Sequence, residues 1–171
     1  MLTPAGRGQP LLYLDFDGVL MHERVLYDAQ RGPYLDAPER YSLFQHAQLL
    51  ADLLAPHPKV LLVLSTTWAL RYGLRGAMQR LPESLQARVV GATYELARPD
   101  DFFANMPRGE QVALDVERRL PSTWLALDDD MVGWPKWTEA RVLFTDPYEG
   151  ISPPEIQKAL RERLEQLSAG L

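Results

Sequence analysis

The stretch Leu11-Leu-Tyr-Leu-Asp15-Phe-Asp17-Gly18-Val-Leu20 decides how this chain folds. Leu11 to Leu14 form an apolar run too short for a helix of its own, and it reads as a buried strand. The run ends in two carboxylates, Asp15 and Asp17. Gly18 follows at once and permits a sharp departure from strand geometry. Both acids therefore fall at the carboxyl end of a strand, where open α/β sheets place their ligands. Two carboxylates this close repel unless a cation lies between them. Magnesium is the economical candidate, because Mg²⁺ prefers hard oxygen ligands in an octahedron.

Outward from this stretch, strands and helices alternate. Residues 1–10 are rich in Gly and Pro and are expected to fray. Residues 21–38 hold turn signals and no sustained period, which predicts a loop or short flap. Tyr41, Leu43, Phe44, Ala47, Leu50, Ala51 and Leu54 recur near helical spacing, so residues 40–55 predict an amphipathic helix stopped by Pro56. Lys59 to Leu64 is a second buried strand. It runs into Ser65-Thr66-Thr67-Trp68, where Thr66 or Thr67 can cap a helix reaching toward Arg80. A short helix from Pro82 and a third strand over 88–93 come next, then an irregular segment, 94–107, in which Asp100 and Asp101 are expected to be solvated. A helix over 109–120 leads to a strand over 122–127, and Asp128-Asp129-Asp130 follows that strand directly. A loop over 131–137, a last strand over 141–145 and a helix over 153–167 complete the pattern. The alternation predicts an α/β fold: a three-layer, Rossmann-like parallel sheet with helices on both faces, in a single domain spanning 1–171.

Composition narrows the function. Hydrophobic residues make up 46% of the 171 residues, which is enough for a sizeable core and too many for a disordered chain. The formal net charge of -5 argues against a broad electrostatic grip on nucleic acid, while leaving room for a local basic patch. With 0 cysteines, disulfide scaffolds, thiolate zinc sites and cysteine nucleophiles are excluded. No apolar run is long enough to span a bilayer and no signal peptide is evident, so a cytoplasmic, membrane-free protein is expected.

Polar residues thus end three strands in order: Asp15/Asp17, Ser65 and Asp128/Asp129. This order resembles the haloacid dehalogenase (HAD) superfamily of phosphohydrolases. Asp15-Phe-Asp-Gly-Val-Leu matches its first motif, Val60–Ser65 the second, and Leu125-Ala-Leu-Asp-Asp the fourth. The resemblance implies an aspartyl-phosphate intermediate on Asp15, which with a reference pKa near ~3.9 is ionised at neutral pH. Asp17 would serve as general acid and base, for which neighbouring carboxylates must raise its pKa. The family also implies a metal held by the Asp15 side chain, the Asp17 carbonyl and one acid of the later pair. Asp129 is the first choice for that acid, with Asp128 steadying the ligand shell. Ser65 would donate to a phosphate oxygen, and backbone N–H groups near Thr66 would add to the cradle. For the phosphate-bound cation the resemblance points to Arg108, which begins the helix leading into the Asp128 strand, where the family puts its basic residue, with Lys136 as the rival.

Bland readings compete. His22 and Arg24 read as exposed loop residues. Trp68, Trp134 and Trp137 can form an aromatic wall for a base or sugar, but gap filling between loops and core is the simpler role. No segment is large enough for the cap domain common in the family, so a capless or minimally capped site is expected, open to a phosphorylated small molecule or an exposed macromolecular phosphate. Ser65-Thr-Thr-Trp and Trp124-Leu-Ala-Leu-Asp-Asp are also similar to small HAD domains associated with RNA repair. Three functions follow as expectations: a Mg²⁺-dependent phosphomonoesterase, a polynucleotide 3′-phosphatase, or a non-catalytic metal- or phosphate-binding module on the same fold.

Overall fold

A computed structural model describes residues 3–95 and 102–170 of the chain. In chain order it comprises β1 (Pro10–Leu14), β2 (Val25–Asp28), β3 (Gly32–Leu35), α1 (Ala47–Leu54), β4 (Leu61–Leu64), α2 (Thr67–Met78) and α3 (Glu83–Gln86). β5 (Val89–Ala92), α4 (Arg108–Arg119), β6 (Thr123–Asp128), β7 (Val142–Phe144) and α5 (Pro154–Ala169) follow. Five strands form one sheet in the order β5-β4-β1-β6-β7, and every pairing is parallel. β2 and β3 pair antiparallel as a separate hairpin.

β1 explains the layering. Its side chains alternate between two faces, and Leu11 to Leu14 are all completely buried. Leu12 and Leu14 join Leu62, Leu64, Leu125 and Leu127 against α1 and α5 through Leu50, Leu54, Leu160 and Leu164. Leu11 and Tyr13 join Val63 and Ala126 against α4 through Val112. Both faces are covered, so the strands read as continuous apolar runs rather than alternating ones. Each buried leucine contributes about 1.5–3 kcal/mol relative to exposure, and most of the fold's stability comes from this stacking.

Topology then sets the site. The chain leaves β1 for β4 and β5 on one side and returns to β6 and β7 on the other. The winding reverses at β1, which opens a crevice at its carboxyl end. The ladder carries on past the strand ends: Asp15 N–H donates to the Leu127 carbonyl, Ser65 N–H to that of Leu14, and Thr145 N–H to that of Asp128.

Three expectations change. The predicted helix over 40–55 is real only from Ala47, because Phe44 sits in the left-handed region at φ 56°. That turn drops its ring onto Phe16 and Trp68, with centroids 5.2 and 5.1 Å away, and aromatic burial outweighs local helical preference. The expected flap over 21–38 is the ordered β2–β3 hairpin. Within the segment 1–10 expected to fray, the described residues are instead anchored. The completely buried Arg119 donates from Nη1 to the Ala5 carbonyl at 2.7 Å, and Gly8 N–H donates to the Leu120 carbonyl. A buried guanidinium needs acceptors, and the leading segment supplies one. Asp100 and Asp101 lie outside the described residues.

Candidate active site

Asp15, Asp17, Arg108, Asp128 and Asp129 line one open cleft at the carboxyl edge of the sheet, with Glu23, Thr67, Met131 and Pro147 at its rim. Asp15 continues β1, Asp128 ends β6, and Arg108 opens α4. One carboxylate oxygen from each of Asp15, Asp128 and Asp129 lies within 4.8 Å of the other two. The Asp17 side chain is held apart from that group, because Trp68 Nε1 donates to its Oδ1 at 2.8 Å.

Gly18 is what lets these acids approach. Its φ is +73°, and an added Cβ would stand 2.2 Å from Asp129 Cγ. Its carbonyl accepts a hydrogen bond from Thr145 Oγ1 at 2.6 Å, which ties the turn to the end of β7. Gly18→Ala is therefore expected to push the Asp129 carboxylate away. The expected result, read by calorimetric titration, is magnesium binding about tenfold weaker than in the wild type. Equal affinity would remove Gly18 from the site's architecture.

Arg108 Nη1 stands 3.0 Å from Asp15 Oδ1 and 3.9 Å from Asp128 Oδ2. These contacts are ion pairs by distance, and the buried Nη1 has no well-aligned hydrogen-bond acceptor. Ser65 Oγ is likewise buried without a partner, as is Asp128 Oδ2. Two orphaned donors and one orphaned acceptor thus cluster at the strand ends. Buried polar atoms without partners are rare and point to a bound group. The donors suit an anion, and the acceptor, among three hard carboxylate oxygens, suits a divalent cation. The residues present fit a divalent metal ion.

Charge state follows from burial. Asp17 is pushed up to about 7, first by burial and then by the Asp15 charge, while the Trp68 hydrogen bond pulls it back. Asp129 also rises to about 7, from burial and then Asp15. Burial raises Asp15 against the opposing pull of Arg108, and burial together with the Asp15 charge raises Asp128 well above the usual range. Burial works against the charge on Arg108, but Asp15 and Asp128 outweigh it and hold the guanidinium protonated.

The structure brings together Asp15, Asp17, Arg108, Asp128 and Asp129. Ser65 and Thr66 lie buried behind them, and Thr67 forms the wall beside them. Thr66 caps α2 by accepting from Trp68 N–H, and its hydroxyl also hydrogen-bonds the Asp15 carboxylate. Lys136 is exposed and does not line the cleft, whereas Arg108 does. His22 is buried, not exposed, between the rings of Tyr41 and Tyr148 at 4.8 and 5.0 Å. Arg24 is exposed and pairs with Asp36. No aromatic wall forms: Trp68 is fully buried, Trp134 packs on Phe144, and Trp137 packs on Trp124. The indole of Trp68 as the hydrogen-bond donor to Asp17 is the feature that sequence reasoning missed. Its spacing from Ser65 carries no signal for that contact.

A family model, described as the HAD domain in Swiss Army Knife RNA repair proteins, matches residues 11–156. No curated protein and no solved structure matches the chain. No helix among the described residues is long and apolar enough to cross a membrane.

Proposed function

The chain belongs to the family of HAD domains of Swiss Army Knife RNA repair proteins, and from that premise we propose a magnesium-dependent phosphatase acting on phosphorylated RNA ends. The observation that carries this reading is the set of orphaned atoms, Ser65 Oγ, Arg108 Nη1 and Asp128 Oδ2, gathered around the Asp15 carboxylate. Asp15, Asp128 and Asp129 would hold the ion through their carboxylates, and Asp17 would add its main-chain carbonyl. Bound Mg²⁺ supplies the charge neutralisation that lets a carboxylate approach a phosphate dianion.

The chain's own groups do the rest. Asp15 attacks phosphorus in line with the leaving oxygen and becomes an aspartyl phosphate. Ser65 Oγ and the Arg108 fork bind the phosphoryl oxygens as negative charge shifts onto them. Asp17, poised near 7, gives its proton to the leaving oxygen and then takes one from the water that cleaves the acyl phosphate. The Trp68 indole aims Asp17 at that oxygen and keeps its carboxylate off the metal group.

The test is a panel with Mg²⁺ present: a 3′-phosphorylated oligoribonucleotide, a phosphoserine peptide and an aryl phosphate. Phosphate release is expected from the oligonucleotide and the aryl ester, with the higher kcat/KM on the oligonucleotide. Preference for the peptide would overturn the RNA substrate, and release from none would overturn the hydrolase.

The cluster also makes a stability prediction. Asp17 and Asp129 sit near 7 in the folded chain against an ordinary value of 3.8. Folded-state values raised above unfolded ones mean that the native state binds more protons between about pH 4 and 7. Stability therefore falls as pH rises through that window. Discounted for solvent screening, the loss is about 2 kcal/mol, or about 4–8 °C in Tm for a chain of this size. Thermal melts in chelator are expected to show that drop between pH 5 and pH 8, and millimolar Mg²⁺ should erase it. A Tm in chelator that rises over the same range would contradict the buried acidic cluster.

A further inference from the structure

Outside the acidic cleft, the chain carries a local charge asymmetry. Residues 53–82 hold Lys59, Arg71, Arg75 and Arg80 and no acid, within a chain of net charge -5. α2 lies in this span and begins at Thr67, which forms one wall of the cleft. Arg71 follows Thr67 by four residues, ahead of the break at Gly73, so it stands on the same face of the helix. Four residues at 1.5 Å rise place it about 6 Å along the helix from Thr67.

The guanidinium is preset. Its Cζ sits 3.7 Å from the centroid of Tyr27 in the β2–β3 hairpin. Tyr27 in turn packs edge-on against Trp68 at 5.9 Å, and Trp68 holds Asp17. Tyr27 feels the Asp17 charge, which helps burial to raise its hydroxyl to about 12. Arg71 is exposed, and it makes no salt bridge with a carboxylate among the described residues. A cation seated on an aromatic ring beside an acidic site, hydrogen-bonded to that ring's hydroxyl and with no carboxylate partner among the described residues, keeps further guanidinium N–H groups for an external anion. Arginines interleaved with aromatic rings are also how single-stranded nucleic acids are gripped without sequence readout.

Resting on the hydrolase reading above, we infer that Arg71, seated on Tyr27, grips the phosphodiester adjacent to the terminal phosphate of a single-stranded RNA end. The terminal phosphate enters the Asp15 cleft, and the strand leaves along the α2–hairpin flank. Arg71 is thus a specificity determinant: it binds a part of the substrate that an aryl phosphate lacks. Its guanidinium N–H groups donate to the non-bridging oxygens, and the contact belongs to ground state and transition state alike.

The experiment compares wild type, Arg71→Ala and Arg71→Lys on a 3′-phosphorylated oligoribonucleotide and on an aryl phosphate. In Arg71→Ala the ratio of kcat/KM for the oligonucleotide over that for the aryl ester is expected to fall about tenfold, through KM. The slope of log(kcat/KM) for the oligonucleotide against log salt should shrink by about 0.7, the value of one single-strand phosphate contact. Arg71→Lys should restore the salt slope, because it keeps the charge. An unmoved ratio, or equal losses on both substrates through kcat, overturns the inference. A second measurement separates it from the hydrolase reading: fluorescence anisotropy of a labelled, phosphate-ended oligoribonucleotide bound to Asp15→Asn in Mg²⁺. Weaker binding in the Arg71→Ala, Asp15→Asn double variant supports the grip even where no turnover is found. Unweakened binding overturns the grip even where turnover is intact.

Discussion

Asp15→Asn is expected to lower turnover of an aryl phosphate in Mg²⁺ by a factor on the order of 10⁴ or more. The substitution is nearly isosteric at a side chain that is only 10% exposed, so the fold should survive it. What disappears is the anionic oxygen. A carboxamide is no nucleophile toward phosphorus, and it is a weaker ligand for a hard cation. Residual activity above background should come only from phosphate orientation by Arg108 and Ser65. Steady-state kinetics reads the loss, and near-UV circular dichroism checks that the variant stays folded. Wild-type turnover in a folded Asp15→Asn chain would remove the covalent step.

Arg108→Ala is the second large effect, and it has two readouts. For catalysis, loss of a guanidinium aimed at the phosphoryl oxygens should cost on the order of 10²–10³ in kcat/KM. For stability, Asp15 and Asp128 lose the cation that lies 3.0 and 3.9 Å away, and buried carboxylates are left facing one another. Removing one partner of a buried ion pair costs about 3–5 kcal/mol, so the Tm in chelator at pH 8 should fall by about 6 °C or more. At pH 5 the drop should be smaller, because burial has raised both carboxyls and they are more readily protonated. Arg108→Lys separates the two readouts: charge returns and stability with it, while the bidentate fork stays absent and activity remains low. An Arg108→Ala chain as stable and as active as the wild type would refute the placement.

The sheet was legible because it rests on strong local signals. Leu11 to Leu14, Val60 to Leu64 and Trp124 to Leu127 are unbroken apolar runs with acids or hydroxyls at their ends, and parallel pairing needs little more. The four acids of the cleft followed from that placement, and Arg108 from the family resemblance. Phe44 was misread because its apolar spacing fits a helix, and only the distant Phe16 and Trp68 make the left-handed turn worthwhile. The β2–β3 hairpin went unread because Gly32-Pro33 looks like a simple turn and four-residue strands leave almost no alternation to detect. His22 was misplaced for a related reason: the rings that bury it come from Tyr41 and Tyr148, far along the chain. Local pattern carries no information on contacts of that kind.

The link from Arg119 to the Ala5 carbonyl bears on how this domain can be cut or fused. The matched family region starts at residue 11, and a designer trimming the chain to that limit would strip an acceptor from a guanidinium sealed beneath α4. Such a shortened protein should express poorly or melt early, even though every catalytic group is retained. Tags and neighbouring domains are better joined upstream of Thr3, so that the short Pro-Ala-Gly strap keeps its latch.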